Sequence, residues 1–434
     1  MKVVGLITEY NPFHNGHLYH FSTAKQQVGA DYTLCVMSGN FLQRGEPALV
    51  NKWARTQMAL EAGIDLVLEI PVAYATRSAQ GFAEGAVRML EASGVVTHLC
   101  FGSELGALEP LAKVASLVLE EPWDLSILIR KHLDRGLVYP KARSEALSEY
   151  FRQPGNSSRT LAESQDPAAQ IPWDEIVKSP NNILGIEYLR ALQLLGSPIH
   201  PLTVERLHSG YNEIKLRHSS IASATSIRHN LQDKGKLSLE LKAYLPDSSW
   251  RLLSREFQAG RGPVFPENLC PHLLMKLRTS TPDDLVEIPD VSEGLEYRIW
   301  EAAQEATSFY SLVNRIKTKR YTWTRIQRIL FHFLLGYTKS MAERFQDAGG
   351  PRYLRVLGFT NRGRNLLKEM RERASLPVVT RVAPFLKTPG LAAEMLALDV
   401  LATNVHSLLY PAGAQRRAGL DFKRPPVYWE PGNV

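Results

Sequence analysis

Four short apolar runs mark the first quarter of the chain: Lys2–Thr8, Tyr32–Met37, Asp65–Pro71 and Thr97–Gly102. Between them, "HLYHFSTAKQQVG", "ALVNKWARTQMALEAG" and "AQGFAEGAVRMLEASG" mix apolar and polar positions at helical spacing, and each ends in glycine. Strand-length runs alternating with such segments predict an α/β fold, a parallel sheet covered by helices on both faces. Ligands of such sheets bind beyond the carboxyl ends of the strands, so the loops "TEYNPFHNG", "SGNFLQRGEP" and "FGSELG" are expected to converge. No G-x-G-x-x-G occurs there, which removes the usual dinucleotide fingerprint.

Further along, about 120–170 reads as a polar insertion, with "YFRQPGNSSRTLAESQDPAAQ" as an exposed connection. "SPNNILGIEYLRALQLLG" predicts a helix opened by Ser179-Pro180 and closed by Gly196, and "IHPLTVERL" a further strand. "SSIASATSIRHNLQ" turns into a helix near Ser226. Beyond about Asp233 strand signals fade, and patterns such as "GLEYRIWEAAQEATSFYSLVNRI" and "WTRIQRILFHFLLGYT" are helical. The expected organisation is an α/β part over 1–230, holding the insertion, and a mainly helical part over 231–434.

Composition narrows the function classes. At 434 residues, 44% hydrophobic and 22% charged, the chain reads as globular rather than disordered. A net charge of +7 favours a polyanionic partner. Cys35, Cys100 and Cys270 lie far apart without metal-ligand spacing, two of them inside apolar runs; buried reduced thiols in a cytoplasmic protein are expected. The first apolar run is too short for a signal peptide. No run approaches the roughly 18 residues of a membrane span, so no membrane partner is expected.

The first converging loop carries the candidate chemistry. His14 and His17, three apart around Gly16, project from one face of a helix's first turn. The unpaired N–H groups and macrodipole there favour an anion, and Gly16 gives it access to the backbone. Such a pair can stabilise charge on an attacked phosphate; the plain alternative is two histidines capping a helix. A zinc site lacks a third ligand at companion spacing, so no metal residue is assigned. Ser223, Thr225 and Ser226 offer hydroxyls and N–H groups at a second helix start, and Arg228 a fork for phosphate oxygens. Together the two loops suggest a clamp on a triphosphate.

His14-Asn15-Gly16-His17 resembles the H-x-G-H motif of adenylyl-transferring nucleotidyltransferases, and Ser223–Arg228 resembles their S-S-T-x-I-R element, with Ala224 in place of the second serine. The blocks "EYNPFHNGHLYH", "MSGNFLQRGEPALVNKWARTQMAL", "EIPVAYAT", "FGSE", "SPNNILGIEYLRAL" and "IASATSIR" are similar to those of the bacterial tRNA(Met) cytidine acetate ligases and cover most of 1–230. The later "KTKRYTWTRIQRIL" also fits. The resemblance implies a Rossmann-like nucleotidyltransferase domain. It implies an enzyme that converts ATP and acetate to acetyl-adenylate and pyrophosphate, then passes the acetyl group to N4 of the wobble cytidine of elongator tRNA(Met). Mg2+ held by phosphates and water would leave little mark on the sequence.

By the same resemblance, His14, His17 and Arg228 are catalytic. The ATP contacts comprise Ile7, Thr8, Glu9, Tyr10, Asn11, Pro12, Phe13, His14, Asn15, Gly16, His17, Leu18, Tyr19 and His20. Gly102, Arg206 and Asn182, with Asn181 as its rival, join them, as do Ser223, Thr225 and Ser226. Glu9 is open between orienting a histidine and holding a metal. Arg44 and Lys52, in or near the second loop, are open between substrate, tRNA and solvent.

From Arg315 to Arg328 six basic residues occur without an acidic one, interleaved with Tyr321 and Trp323. Ile326, Ile329, Leu330, Phe333 and Leu334 should face a core and leave Arg325 and Arg328 on another side. Lys317, Lys319, Arg320, Arg325 and Arg328 are the expected tRNA contacts, and Arg362, Arg364 and Lys368 form a second basic cluster. The rival functions are adenylyl transfer to a small cofactor precursor, which leaves the basic region without a task, and a non-catalytic RNA-binding protein.

Overall fold

Side chains alternate faces along a strand, and the buried residues of the predicted strands divide accordingly. Val3, Leu34, Val36, Leu66 and Leu68 enter one core, and Val4, Leu6, Cys35, Met37 and Val67 the other. A computed structural model of the chain describes residues 1–153, 156, 173–207, 221–292 and 294–430. Its first part runs β1 (Val3–Thr8), α1 (Asn15–Val28), β2 (Tyr32–Ser38), α2 (Lys52–Glu61), β3 (Leu66–Ile70), α3 (Val72–Ala75), α4 (Ala79–Ala92) and β4 (His98–Ser103). After α5 (Leu108–Glu120), α6 (Trp123–Asp134), α7 (Tyr139–Arg152) and α8 (Trp173–Ile176) come α9 (Pro180–Leu195), β5 (His200–Glu205) and α10 (Ala224–Lys234). β1 pairs with β2 and β4, β2 with β3 and β4 with β5, all parallel. Apolar residues of α4 and α9 cover one face, and those of α1, α2 and α10 the other.

The polar insertion is more ordered than its composition suggests. α6 buries Leu125, Leu128 and Ile129 and α7 buries Ala142, Ala146 and Leu147, so apolar positions at helical spacing survive among many charges. Most of the predicted connection, 157–172, lies outside the described residues, as does 208–220.

The second part holds α11 (Asp247–Gln258), α12 (Cys270–Arg278), α13 (Pro282–Val286), α14 (Leu295–Glu305), α15 (Phe309–Ile316), α16 (Trp323–Leu335) and α17 (Lys339–Asp347). β6 (Leu354–Thr360), α18 (Asn361–Arg373), β7 (Val378–Val379), α19 (Val382–Leu386), α20 (Leu391–Leu408), α21 (Leu420–Lys423) and β8 (Val427–Trp429) follow. The expectation that strands end near Asp233 is corrected here. The sheet order is β5-β4-β1-β2-β3-β6-β7, with β8 also on β6. β1 to β5 form the expected parallel sheet, and β6, from the second part, joins its β3 edge antiparallel. Apolar residues of α12, α16 and α20 belong to the core that covers α4, so the two parts share one interior.

A buried charge network fixes this junction. Glu69 of β3 faces Arg355 of β6 in register, at 2.9 Å, and Lys52 Nζ lies 2.7 Å from Glu69 and 2.9 Å from Asp421. Lys52 is fully buried, which closes the three readings left open for it. Removing one member of such a network leaves an uncompensated buried charge, at a cost of about 3–5 kcal/mol.

Candidate active site

β1 delivers "EYNPFHNGH" to the sheet's carboxyl edge, where α1 begins with His14 as its N-cap. His14 Nδ1 accepts the Gly16 amide proton at 3.0 Å, and His17 Nδ1 accepts that of His14 at 3.3 Å. The two rings stack, with centroids 3.7 Å apart and planes 28° from parallel. With each Nδ1 an acceptor, the network assigns both protons to Nε2. Burial, reinforced by Arg206 and Arg228, pushes the His14 pKa down to about 3; burial with His14 and Arg206 pushes that of His17 well below its usual value. Both are neutral N–H donors at physiological pH. Capping and cavity lining, posed as alternatives, coexist, because one ring nitrogen serves each. The role expected for Gly16 changes as well: a Cβ there would meet His14 Cε1 at 2.9 Å, so the glycine makes room for the imidazole.

The cavity spans the ends of β1, β4 and β5 and the start of α10. Of the expected nucleotide set it is lined by Ile7, Thr8, Glu9, Tyr10, His14, Gly16, His17, Tyr19, His20, Gly102, Arg206, Ser223, Thr225 and the clamp residue Arg228. Asn11, Pro12, Phe13, Asn15, Leu18, Asn182 and Ser226 are not among the lining residues. Phe13 is fully buried in the core and the Asn15 side chain bonds to the Ala243 carbonyl. Asn11 Oδ1 accepts from the Leu49 amide, and Ser226 donates back to the Ser223 carbonyl. These residues shape the loops.

Of the two rival asparagines, Asn181 is the one that lines the cavity, and its Oδ1 lies 3.4 Å from an Arg206 guanidinium nitrogen. Asn182 is buried, with Oδ1 accepting the Glu104 and Leu105 amides at 2.9 and 3.3 Å. Glu104 in turn accepts the amides of Asn181 and Asn182, a carboxylate where the helix dipole favours one. Arg206 is therefore anchored in the site rather than free on the surface.

On the β2 side, Arg228 donates to the Asn11 carbonyl at 3.0 Å and pairs with Glu46 at 3.2 Å. Glu9 Oε1 accepts the Gln43 amide at 2.7 Å, and no histidine among the described residues hydrogen-bonds to its carboxylate. Among the described residues no group of three or more potential ligands surrounds a metal position. Arg55, fully buried, donates to the carbonyls of Glu9 (2.6 Å), Ser38 (3.1 Å), Gly39 and Val50 (3.2 Å). It laces the first two converging loops together. Sequence reasoning missed it, having read "KWARTQMAL" only as a helix; a basic residue on that helix's buried face was the available signal. Phe82, Phe101, Leu184 and Tyr188 also line the cavity, and nothing in the sequence singled them out.

The basic stretch of the second part divides in two. Lys317, Lys319 and Arg320 are exposed between α15 and α16. Arg325 is half-buried, donating to the Asp290 carbonyl at 2.7 Å and lying over the Tyr321 ring. Arg328 contradicts its expected exposure: it is 8% exposed and lies 3.7 Å from Asp290. The cavity's second loop rests against it, because Gly45, at φ +73°, sits where a Cβ would come within 2.6 Å of the Arg328 amide nitrogen. In the second cluster Arg362 pairs with Asp65 at 3.2 Å and Arg364 lies over the Tyr428 ring.

A parallel sheet whose first crossover presents two neutral imidazoles to a cavity flanked by arginines defines a nucleotidyltransferase. The chain belongs to the HIGH Nucleotidyl Transferase family, whose model matches residues 1–421. It is 44% identical to a tRNA(Met) cytidine acetate ligase of Acetivibrio thermocellus over 97% of this chain and 98% of that one. It is 41% identical to the protein of that name from Halothermothrix orenii, over 98% and 99%. The crystal structure of Thermotoga maritima TmcAL bound with alpha-thio ATP aligns with a TM-score of 0.87 at 39% identity, covering 99% of this chain and all of that one.

Proposed function

We infer that this protein is an ATP-dependent ligase that condenses acetate with ATP to acetyl-adenylate, releases pyrophosphate, and transfers the acetyl group to N4 of the wobble cytidine of elongator tRNA(Met). The observation that carries this reading is the pair of stacked, neutral imidazoles beside Arg206 and Arg228 in one cavity. An acetate oxygen attacks the α-phosphate. The two Nε2–H groups meet the growing charge on its non-bridging oxygens, while the arginines hold the polyphosphate and the departing pyrophosphate. Neutral donors suit this task, since they need no proton transfer during the step. The names borne by relatives over nearly their full lengths support the same chemistry.

Mg2+ enters on the triphosphate, since the described residues form no cage for it and magnesium keeps several waters. Lys317, Lys319 and Arg320, with Arg325 beside them, contact the tRNA backbone. The work place is the cytoplasm, where tRNA is found; no helix among the described residues is long and apolar enough to cross a membrane. The test is exchange of labelled pyrophosphate into ATP with and without acetate, in the absence of tRNA. Acetate-dependent exchange is expected, followed by labelled N4-acetylcytidine once elongator tRNA(Met) is added. Exchange indifferent to acetate would overturn the reading.

A further inference from the structure

Resting on that reading, the second half-reaction poses a question the histidine pair does not answer. When N4 of cytidine attacks the acetyl carbon, the nitrogen must shed a proton, and His14 and His17 cannot accept it. Their Nδ1 lone pairs already hold the amide protons of Gly16 and His14, and their Nε2 atoms carry hydrogen. Glu46 is committed to Arg228. Glu205 also lines the cavity but is exposed at the β5 edge, and burial pushes the His20 pKa down to about 4, which leaves that ring a weak base. Of the carboxylates lining the cavity, Glu9 is the half-buried one with no ion pair among the described residues.

Its placement is controlled from two directions. The Arg55 guanidinium grips its carbonyl at 2.6 Å and the Gln43 amide holds Oε1 at 2.7 Å, while no hydrogen bond from the described residues reaches Oε2. From these contacts we propose that Glu9 is the general base of acetyl transfer. The N4 lone pair forms the new bond to the acetyl carbon, and the carbonyl π pair moves onto oxygen. Glu9 Oε2 takes one N4 proton. The carbonyl then re-forms, the acetyl C–O bond to phosphate breaks, and AMP leaves with that electron pair. The products are N4-acetylcytidine, AMP and a protonated Glu9 that returns its proton to solvent.

Electrostatics agrees with the assignment. Burial, helped by Glu46, raises the Glu9 pKa, while the Gln43 amide, Arg44 and Arg228 oppose the rise. Tyr188 and Arg55 are the other titratable groups that feel its charge. A raised value moves the base towards the pH at which the enzyme works, where general-base catalysis is most efficient.

The experiment separates the half-reactions. Single-turnover transfer from synthetic acetyl-adenylate to an elongator tRNA(Met) transcript is timed for the full-length protein and for Glu9→Gln and Glu9→Asp, beside acetate-dependent pyrophosphate exchange. Transfer by Glu9→Gln is expected to fall about 10²–10⁴-fold, and exchange by at least tenfold less. Glu9→Asp recovers part of the transfer. Wild-type transfer should slow as the pH falls through the carboxyl's titration, a limb that Glu9→Gln removes from whatever rate persists. Transfer by Glu9→Gln within threefold of wild type overturns the proposal, as does a wild-type transfer rate without the acidic limb; the leaving phosphate would then be the proton acceptor. Equal losses in both half-reactions assign Glu9 to nucleotide binding and also overturn it. Failure of the wild type to show exchange condemns the activation reading instead, and the synthetic adenylate still reports on transfer.

Discussion

His14 and His17 each spend one nitrogen on the backbone and present the other to the cavity, so fold and chemistry draw on the same rings. Replacing either with alanine is expected to lower acetate-dependent exchange by roughly 10²–10³-fold, the usual loss for one transition-state donor. Affinity for tRNA should be unchanged, checked by filter binding. A near-normal exchange rate in both variants would refute the role assigned to them. The pair was legible in the sequence because a strand, a glycine and a helix bracket it; its neutrality was not, since the burial and the Arg206 charge responsible are brought from elsewhere in the chain. Asn181 and Asn182 show the limit from the other side. Both open α9, and only the orientation of that helix against the "FGSE" loop decides which faces the cavity.

At the scale of elements, β1 to β5 announced themselves as apolar runs bounded by turn residues. β6 did not. Its seven residues "LRVLGFT" sit in a helical context, and what makes them a strand is the exposed edge of β3, supplied by residues far earlier in the chain. α16 was read correctly along its apolar face, with Ile326, Ile329 and Leu330 fully buried, yet Arg328 is buried with them, against Gly45 and Asp290. This separates two outcomes that a simple charge count would merge. Converting Lys317, Lys319 and Arg320 together to alanine should reduce the slope of log tRNA affinity against log salt by about 0.7–0.9 per lost phosphate contact. Arg328→Ala should instead lower the denaturation midpoint and leave that slope alone. Salt titrations and urea melts on the two variants check both statements.

For the whole molecule, two consequences follow from shared burial. Burial drives the His14 and His332 pKa values to about 3 and those of His20 and His406 to about 4, each from near 6.5 in an unfolded chain. Below pH 6.5 the unfolded state therefore binds protons that the folded state refuses, and stability falls as the pH drops. Each histidine contributes a slope of about 1.4 kcal/mol per pH unit at most. Asp399, raised to about 7 by burial and by the Glu69 charge, works in the opposite direction over pH 4–7 but is outnumbered. Urea midpoints measured from pH 7.5 to 4.5 should decline continuously; a flat profile would contradict the burial assigned to these rings. The second consequence concerns truncation. Residues 1–230 alone lack β6 and the Asp421 and Arg355 partners of the buried Lys52–Glu69 pair, so the fragment is expected to be insoluble or to lose cooperative melting, as circular dichroism would report.

β3 also carries a timing constraint, because its outer edge waits for a strand translated about 290 residues later. At the usual pace of about 5–20 residues per second a nascent chain spends roughly 15–60 s with that edge open on the ribosome. A chain cut short by a premature stop cannot complete its sheet. Truncated synthesis should thus yield debris for proteases rather than a half-enzyme that makes a reactive anhydride and has nowhere to deliver it.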